Sequence, residues 1–481
     1  MRPIGERFEI GIPWKQDQPN LPDNRGMAER RLRSLEAHLK KKPEVQRQYR
    51  DAFQQNVDKG YIQKVGPVEA ARDGWYLPHF AIVKQDKQTT KVRIVYDAAA
   101  RFGGTSLNDE MLPGPNLQKD ILEILLNFRR RPVALIGDVK EMFSQIVLQL
   151  ECRRYHRLLW RDCYTYRPMD TYEAVRVTFG DRASPFLAMY VLQEQARRAA
   201  PDYPLASQVI KDFTYMDDVT DSFETTAIAA KMIPELKTVV KPGGWTIRRW
   251  SSNEREVLVG LSEEDKATGV RFRDSDLPTM KTLGVWWDAE TDVFSYSVKF
   301  EMTTVNTKRE LLSLVASVFD PFQFLAPLVI RGKIALQGAW MSGKDWDAQL
   351  TPDVKKVAKD WIQEMSQAQD LKIPRCNRTR PITDVKHISI HVFSDASQEA
   401  YAACCYIRFL YDDDTTQVTF VAAKARVAPL RAISIPRLEL MAAVLGVRLA
   451  RIIAKMLEIS IGEHRFWTDS TDVLYWIRGQ S

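Results

Sequence analysis

The sequence predicts a multidomain α+β protein, and three observations carry this prediction. The chain has 481 residues, which leaves room for roughly two to four domains. Its apolar fraction of 45% is high enough for packed cores and argues against a disordered chain. Strand-like and helical periodicities alternate along the first half, and the last hundred residues or so follow a β-β-β-α-β order. We therefore expect separate mixed domains joined by a helical segment.

The charge and the cysteines narrow the class of protein. Lys and Arg number 69 against 62 Asp and Glu, a net charge of +7, which suits a polyanionic partner as well as ordinary solubility. The five cysteines form no pair with zinc spacing, and no N-terminal signal pattern is present, so we expect a reduced intracellular protein that is not secreted. The longest apolar stretch, 311–330, is broken by an aspartate and two prolines, so no membrane span is expected.

Up to residue 265 the periodicities predict five helices and five strands. The predicted helices are 25–42, 43–59, 121–128, 186–200 and 226–240. The predicted strands are 74–84, 91–97, 133–139, 175–180 and 245–250. The basic face of the first two helices suits nucleic acid or simply solvent. Lys84 and Arg93 flank the turn between the first two strands, where their cationic groups would be able to clamp a triphosphate.

The second half of the chain has a helical block followed by a strand-rich region. A strand is predicted at 281–287, and helices are predicted at 307–318, 325–340 and 354–367. The strands 387–395, 401–410 and 417–427 follow, then the amphipathic helix 436–457 and the strand 465–469.

The first candidate site is a set of three carboxylates. Asp217 and Asp218 lie in a β-prone run, 213–220, that predicts a hairpin with a tight acidic turn. Asp138 lies near the end of the apolar strand 133–139. Each residue alone is equally a solvated turn or a strand-end cap. Together the three carboxylates would be able to hold the two Mg²⁺ ions, about 4 Å apart, that phosphoryl transfer needs. Paired carboxylates repel each other unless a hard cation neutralises their charge.

A second set of carboxylates lies in the C-terminal region. Asp395 lies on the first strand of the β-β-β-α-β unit, Glu439 in the first turn of its helix, and Asp469 at the end of its last strand. Three acids that converge over a mixed sheet also fit a two-metal site, here one suited to hydrolysing a phosphodiester. Each acid alone is better explained as a surface residue, but two ordered sets in one basic chain favour catalysis.

Several segments carry a resemblance to a known family. They are 137–143 (Gly-Asp-Val-Lys-Glu-Met-Phe), 178–186 (Thr-Phe-Gly-Asp-Arg-Ala-Ser-Pro-Phe), 215–218 (Tyr-Met-Asp-Asp), 250–253 and 283–286, and then 393–397, 435–440 and 467–470. With these motifs, nearly the whole chain resembles the reverse transcriptase–ribonuclease H region of a BEL/Pao-type LTR retrotransposon polyprotein. The last three segments are similar to three ribonuclease H motifs.

The resemblance implies a right-hand polymerase with fingers, palm and helical thumb, followed by an incomplete ribonuclease H-like α/β domain. The implied domains are an N-terminal extension with basic helices, 1–60; fingers and palm, 61–265; thumb or connection, 266–383; and the ribonuclease H-like domain, 384–481. The implied activity is RNA-directed DNA polymerisation with two Mg²⁺ or Mn²⁺ ions per active site. The implied partners are an RNA or DNA template, a DNA primer duplex, dNTPs and other parts of the polyprotein, in a cytoplasmic particle or the nucleus.

The resemblance also implies roles for single residues. Asp138, Asp217 and Asp218 would hold the polymerase metal ions, and Asp395, Glu439 and Asp469 those of the nuclease. Phe143 would be a steric gate that leaves no space for a ribose 2′-OH. The remaining implied substrate-binding residues are Lys84 and Arg93 for the triphosphate, Phe179, Gly180 and Ser184 beside the nascent base pair, and Tyr215 and Met216 in the motif itself.

One expectation limits the nuclease role, and two further interpretations of the chain stay open. Ribonucleases H of this kind use a fourth acid in a later loop, so we expect the nuclease part to be incomplete at residue 481. The second interpretation is a peptidase, because the region 283–374 is similar to a segment labelled as a Pao retrotransposon peptidase. An aspartic protease needs an Asp-Thr-Gly or Asp-Ser-Gly turn, however, and the chain has neither. The third is a remnant that binds nucleic acid without catalysis.

Overall fold

The computed structural model of the protein describes residues 1–83, 92–268, 277, 279–296, 300 and 304–479. Its strands, numbered in chain order, are β1 Arg2–Ile4, β2 Arg7–Ile10, β3 Ile62–Lys64, β4 His79–Val83, β5 Val92–Tyr96, β6 Val133–Val139, β7 Val147–Leu148, β8 Arg157–Trp160, β9 Asp170–Ala174, β10 Thr214–Tyr215, β11 Asp218–Phe223, β12 Ile247–Ser251, β13 Thr279–Thr282, β14 Val285–Asp288, β15 Val293–Ser295, β16 Lys372–Pro374, β17 Val385–Ala396, β18 Ala400–Tyr411, β19 Thr416–Val427 and β20 His464–Trp467.

The α-helices are numbered in the same way. They are α1 Arg25–Lys40, α2 Pro43–Asp58, α3 Pro67–Ala70, α4 Leu107–Glu110, α5 Ile121–Phe128, α6 Leu150–Arg153, α7 Ser184–Ala199, α8 Pro204–Asp212, α9 Thr226–Val240, α10 Lys308–Ser317, α11 Ala326–Met341, α12 Pro352–Met365, α13 Ile435–Leu457 and α14 Thr471–Arg478. Within the described residues, no helix is both long enough and apolar enough to cross a membrane.

The chain divides into two compact units. Unit 1 comprises Met1–Gln118, Val139–Lys211 and Pro234–Ile247, and unit 2 comprises Lys119–Asp138, Asp212–Ile233 and Arg248–Ser481. The four domains implied by the resemblance divide the chain differently, because segments far apart in sequence share a core. Their boundaries stay a prediction.

Unit 1 has three small sheets, with strand orders β1-β2-β7, β3-β9-β8 and β4-β5. An aromatic cluster fills the space between its helices and strands. Phe53 of α2 stacks on Trp160 of β8 with ring centroids 4.9 Å apart, and Tyr49 and His79 pack beside them. All four side chains are buried. Large flat rings bury much apolar area with few rotatable bonds, so they hold the helices firmly on the strands.

Unit 2 has three four-stranded sheets, with strand orders β10-β11-β6-β12, β13-β14-β15-β16 and β19-β18-β17-β20. Most of its buried apolar residues belong to one large cluster, and a smaller one lies around Tyr401, Leu438 and Leu445. The large cluster includes side chains of α5, β6, the hairpin strands β14 and β15, the three helices α10 to α12, the strands β17 to β19 and the helix α13. Because one core runs through all of these elements, the strand that carries Asp138 and the strand that carries Asp395 belong to the same packed unit.

The Arg129 guanidinium lies fully buried inside unit 2, just after α5. Its Nη1 donates to the carbonyl of Val421 at 2.8 Å and its Nε to that of Arg375 at 3.0 Å. Its Nη2 reaches the carbonyls of Pro374 and Phe420 at 3.4 and 3.3 Å. One side chain therefore ties the end of α5 to β16 and β19 through backbone groups that no side-chain substitution can remove.

The surroundings of Arg129 compensate its charge without a carboxylate hydrogen bond. Burial lowers the pKa of its guanidinium to about 10, so the group stays charged at neutral pH. The rings of Phe322 and Phe324 lie 5.2 and 5.1 Å from the guanidinium carbon, within range of a cation–π interaction. The carbonyl dipoles and the two ring faces replace the water that the charge loses on folding.

A second buried guanidinium, that of Arg375, completes this connection. It donates to both carboxylate oxygens of Asp292 at 2.6 and 2.8 Å. It also donates to the carbonyls of Phe128, Arg131 and Pro132. These carbonyls lie at and just beyond the C-terminal end of α5, where a helix leaves its last acceptors unpaired and favours a cation.

Two predicted strands are wrong. Residues 175–180 form no strand; β9 ends at Ala174, and Arg176 makes an isolated bridge to Val147. The predicted strand 281–287 is a hairpin, with a turn at Leu283 and Gly284, both of which have positive φ values. The glycine supplies the left-handed conformation that the turn needs, inside a run that otherwise favours strand. The predicted turn 85–90 and Lys84 lie outside the described residues.

Replacing Arg129 tests the buried connection. Arg129→Met keeps the length of the side chain but leaves the carbonyls without a donor, so we expect a loss of about 3–5 kcal/mol in the free energy of unfolding. The neighbouring substitution Arg130→Met is the control, because Arg130 pairs with Glu458, whose side chain is 69% exposed, and such pairs contribute about 1 kcal/mol or less. Chemical denaturation followed by circular dichroism measures both. Equal losses in the two variants would contradict the role of Arg129.

Candidate active sites

The hairpin of β10 and β11 presents the acidic turn. Tyr215 lies opposite Asp218 in the ladder, and Met216 and Asp217 form the two-residue turn between them. Met216 has a φ of +55°, a left-handed conformation that a residue with a side chain rarely adopts. Tight two-residue hairpins require such values, and backbone strain of this kind concentrates at functional sites. The predicted hairpin is therefore present.

The hairpin brings two of the three predicted metal ligands side by side. Asp218 of β11 lies directly opposite Asp138 of β6 in an antiparallel ladder. Residues paired in this way project to the same face, with Cβ atoms about 4.5–5.5 Å apart. Asp217, in the adjacent turn, is exposed. The structure thus collects three carboxylates at one end of β6, from two segments about eighty residues apart in the sequence.

Arg248, on β12, is a member of this site that the sequence did not reveal. Its Nε lies 3.6 Å from Oδ2 of Asp138, which makes an ion pair but is too long for a good hydrogen bond. The buried Nε has no hydrogen-bond partner among the described residues. Because β12 lies next to β6 in the sheet, this cation offsets part of the repulsion between Asp138 and Asp218.

Phe143 lies in unit 1, in a single 3₁₀ turn of residues Phe143–Gln145 that follows β6. Its ring packs on Phe179, with centroids 4.6 Å apart and planes inclined by 49°. Glu141, two residues before this turn, has a positive φ and accepts hydrogen bonds from Tyr61 and Lys59. Phe143 is therefore packed on Phe179 and lies just after an anchored residue, and its role as a steric gate stays a prediction.

The predicted second motif forms a tight loop rather than the end of a strand. Gly180 has a φ of +117°, and a Cβ added to it would lie 2.3 Å from the carbonyl oxygen of Tyr96. A glycine is required there by both conformation and space. The Asn108 side chain donates to the Gly180 carbonyl. Ser184 is buried and its hydroxyl donates to the carbonyl of Thr178 at 2.6 Å, so this hydroxyl closes the loop from inside.

The remaining predicted substrate-binding residues are placed as follows. Arg93 is exposed on β5, opposite Ile82 of β4. Lys84, its predicted companion, lies outside the described residues. Tyr215 and Met216 are half-buried at the hairpin turn.

The second predicted site comes together around β17, α13 and the end of β20. Among the residues that the structure describes, the acidic groups close enough to share a cation are Asp395, Glu439 and Asp469, whose ligand atoms all lie within 4.8 Å of one another. Asp138, Asp217 and Asp218 do not reach this closeness in the described structure. The first strand supplies Asp395, and the parallel neighbour β20 leads directly to Asp469.

The chemistry of Glu439 fits a cation site. It is buried, its Oε1 accepts from the amide of Ala396 at 3.2 Å, and its Oε2 has no hydrogen-bond partner among the described residues. Burial raises the pKa of its carboxyl, and the charges of Asp395 and Asp469 raise it further. A buried carboxylate oxygen without a donor, next to two further acids, is the arrangement that a hard divalent cation stabilises.

Comparison with known proteins agrees with this architecture. Residues 307–470 match the family model described as the Pao retrotransposon-like RNaseH-like domain. A foamy viral protease-reverse transcriptase, solved in complex with double-stranded DNA, superposes with a TM-score of 0.54 and 16% identity over 89% of this chain and 64% of that chain. A foamy viral protease-reverse transcriptase in complex with an RNA/DNA hybrid gives a TM-score of 0.53 and 15% identity over 88% and 47%.

These matches confirm the α+β multidomain class and the predicted resemblance to a retroviral or retrotransposon reverse transcriptase–ribonuclease H region. At such identities the solved structures show the fold. The chain spans less than two thirds of the length of either foamy viral protein. No curated protein matches the chain significantly. The description of the matched family gives no support to the peptidase interpretation of the 283–374 region.

Divalent cations provide a direct test of the second site. We expect Mn²⁺ to raise the melting temperature, because binding at ten times the dissociation constant stabilises the folded state by about 1.4 kcal/mol. The rise should shrink in Asp395→Asn. It should persist in Asp412→Asn, which removes an equal charge from the exposed turn between β18 and β19. Differential scanning calorimetry measures all three proteins, and an unchanged rise in Asp395→Asn would contradict a cation site at the three acids.

Proposed function

We propose that the chain is an RNA-directed DNA polymerase that adds dNTPs to a primer, with a ribonuclease H-like domain fused to it. The observation that carries the proposal is the pairing of Asp138 with Asp218 in the β6–β11 ladder, with Asp217 in the adjoining strained turn. Three carboxylates at the end of a sheet suit a pair of divalent cations. The reverse transcriptase-like fold supports the same activity.

In this proposal Asp138, Asp217 and Asp218 would hold two Mg²⁺ or Mn²⁺ ions. When bound, such ions would offset the negative charge on the attacking primer oxygen and on the leaving pyrophosphate. The side chains keep their positions because both strands belong to one four-stranded sheet. The positive charge of Arg248 lowers the repulsion between the carboxylates in the absence of bound cations.

In this proposal, Phe143 selects deoxyribose over ribose. A ring at this position would pack under the deoxyribose and leave no volume for a 2′-OH. Its contact with Phe179 supports the proposal, because a gate excludes a hydroxyl only if it cannot swing away. Arg93 is exposed and would donate two hydrogen bonds to the triphosphate. Lys84 remains predicted as a second residue that binds the triphosphate.

The nucleic-acid partners follow from the charge and from the relatives. The net charge of +7 favours a polyanion, with affinity that falls steeply with salt. The two foamy viral proteins were solved with double-stranded DNA and with an RNA/DNA hybrid. We propose the same two kinds of duplex as the template–primer of this chain. The acids Asp395, Glu439 and Asp469 would then act on the RNA strand of a hybrid.

Primer extension tests the polymerase. On a poly-rA template with an oligo-dT primer and Mg²⁺ or Mn²⁺, we expect extension by the wild-type chain and a fall of about 10³-fold or more in Asp218→Asn, since metal ligation contributes several kcal/mol to such transition states. Asp412→Asn, on an exposed turn, is the control and should extend normally. Binding of the duplex without any extension by the wild-type chain would favour the non-catalytic remnant instead.

Ribonucleotide incorporation tests the gate. Phe143→Val should raise the ratio of rNTP to dNTP incorporation by about tenfold or more, because about 1.4 kcal/mol of steric exclusion is removed. Single-nucleotide extension with each nucleotide measures the ratio, and the dNTP rate of the same variant serves as its control. A variant that extends with dNTPs but keeps wild-type selectivity would contradict the assignment of Phe143.

A further inference from the structure

The structure contains a buried histidine whose two ring nitrogens both face acceptors. His156 follows α6 in unit 1 and is fully buried. Its Nδ1 lies 3.0 Å from the carbonyl oxygen of Cys152, and its Nε2 lies 3.0 Å from Oδ2 of Asp181. A carbonyl oxygen can only accept, and an ionised carboxylate can only accept. These two contacts fit a doubly protonated imidazolium beside an ionised carboxylate.

Asp181 requires that charge. Its side chain is fully buried, and its Oδ2 accepts from the Thr178 hydroxyl at 2.8 Å as well as from His156. Its Oδ1 has no hydrogen-bond partner among the described residues. An ionised carboxylate in the interior is very costly unless a cation lies beside it. Since Oδ2 lies against both the Thr178 hydroxyl and the His156 ring, His156 is placed to act as the counter-ion of Asp181.

The ion pair lies directly beneath a loop that the polymerase would use. Asp181 and Thr178 close the base of this loop, together with the buried hydroxyl of Ser184. Phe179 and Gly180 form its exposed tip. The base of the loop is thus fixed by buried polar contacts, while the exposed tip packs on Phe143 through the ring of Phe179 and accepts a hydrogen bond from Asn108 at Gly180.

We propose that the His156–Asp181 ion pair is a positioning element for nucleotide selection, which fixes the Phe179–Gly180 tip against the gate residue Phe143. The proposal rests on the proposed polymerase activity of the chain. His156 and Asp181 act through the loop and touch no substrate, so they are positioning residues. Their loss lets the tip shift, and a shift of about 1 Å at a substrate-positioning group can cost up to 10²-fold in rate.

The electrostatics agree with this geometry. Burial alone lowers the pKa of His156, but the attraction of Asp181, its hydrogen bond and the Cys152 carbonyl together raise it above the usual value. The thiol of Cys152, on the same turn, has a pKa raised by burial and adds no charge at neutral pH. Because the folded pKa is raised, the stabilisation is complete below the unfolded value of about 6.5 and is lost as the pH rises through the folded value.

A second buried histidine of unit 1 provides an internal control. His79 is also fully buried, with Nε2 facing the carbonyl of Leu159 and Nδ1 facing the hydroxyl of Tyr49. A hydroxyl can donate, so one protonated nitrogen satisfies both contacts. Burial lowers the pKa of His79. Both histidines are buried, yet their contacts differ, and the pKa of His156 is raised while that of His79 is lowered.

Nitrogen NMR of the imidazole rings tests the charge state without any activity. The chain has six histidines, so ¹⁵N-histidine labelling gives a simple spectrum. At pH 7 we expect two protonated ring nitrogens for His156 and one for His79, with assignments from His156→Gln, His79→Gln and the perturbation caused by Asp181→Asn. A single protonated nitrogen on His156 would overturn the proposal, whether or not the chain polymerises DNA.

Steady-state kinetics test the positioning role. We expect Asp181→Asn to raise KM for dNTP by about tenfold with a smaller change in kcat, and to relax the discrimination against rNTPs. The wild-type KM should rise as the pH passes the folded pKa of His156, and this step should be absent from Asp181→Asn. His79→Gln is the control for a general loss of stability and should keep the step. An active Asp181→Asn variant with wild-type KM and pH profile would overturn the proposal, whereas an inactive wild-type chain would instead contradict the polymerase assignment.

Discussion

Two buried guanidinium groups hold the C-terminal end of α5 in position. Through this helix end they connect several elements of unit 2. Arg129 donates to backbone carbonyls of β16 and β19, and Arg375 donates back to the carbonyls around the end of α5. The strand β6 starts four residues after Arg129 and carries Asp138. A desolvated charge tolerates little displacement, because each lost hydrogen bond leaves it uncompensated. The position of Asp138 is therefore fixed by contacts with segments of the chain that lie some 250 residues later.

The two acidic sites differ in the charged groups that surround their carboxylates. In the first, neighbouring carboxylates of β6 and β11 repel, and Arg248 offsets part of that repulsion. In the second, the raised pKa of Glu439 shows that its surroundings disfavour a further negative charge. Both sites therefore favour an added cation. The difference between them is that the first is backed by a fixed cation of the protein, while Glu439 has an acceptor oxygen with no donor among the described residues.

Local sequence patterns predicted the strand and the hairpin that carry the acidic residues. The residues that these patterns missed are placed by long-range packing. The strand 133–139 and the helix 226–240 have the predicted bounds, and the acidic hairpin is present. The turn at Gly284 was missed because β-prone residues surround it. Arg248 and His156 gave no local signal: an arginine in a strand and a histidine near a short helix are ordinary. Only the order of strands in the sheet places Arg248 beside Asp138, and only the loop after β9 places Asp181 beside His156.

The proposed polymerase activity requires that Asp138, Asp217 and Asp218 form a cation site that serves nucleotide addition. Crystals of the chain with a template–primer duplex, an incoming dNTP and Mn²⁺ would test it by anomalous scattering. We predict Mn²⁺ peaks within coordination distance of Asp138 and Asp218, with the dNTP phosphates among the other ligands. Mn²⁺ peaks at Asp395, Glu439 and Asp469 with none at the β6–β11 carboxylates, in a crystal that contains bound dNTP, would contradict the claim.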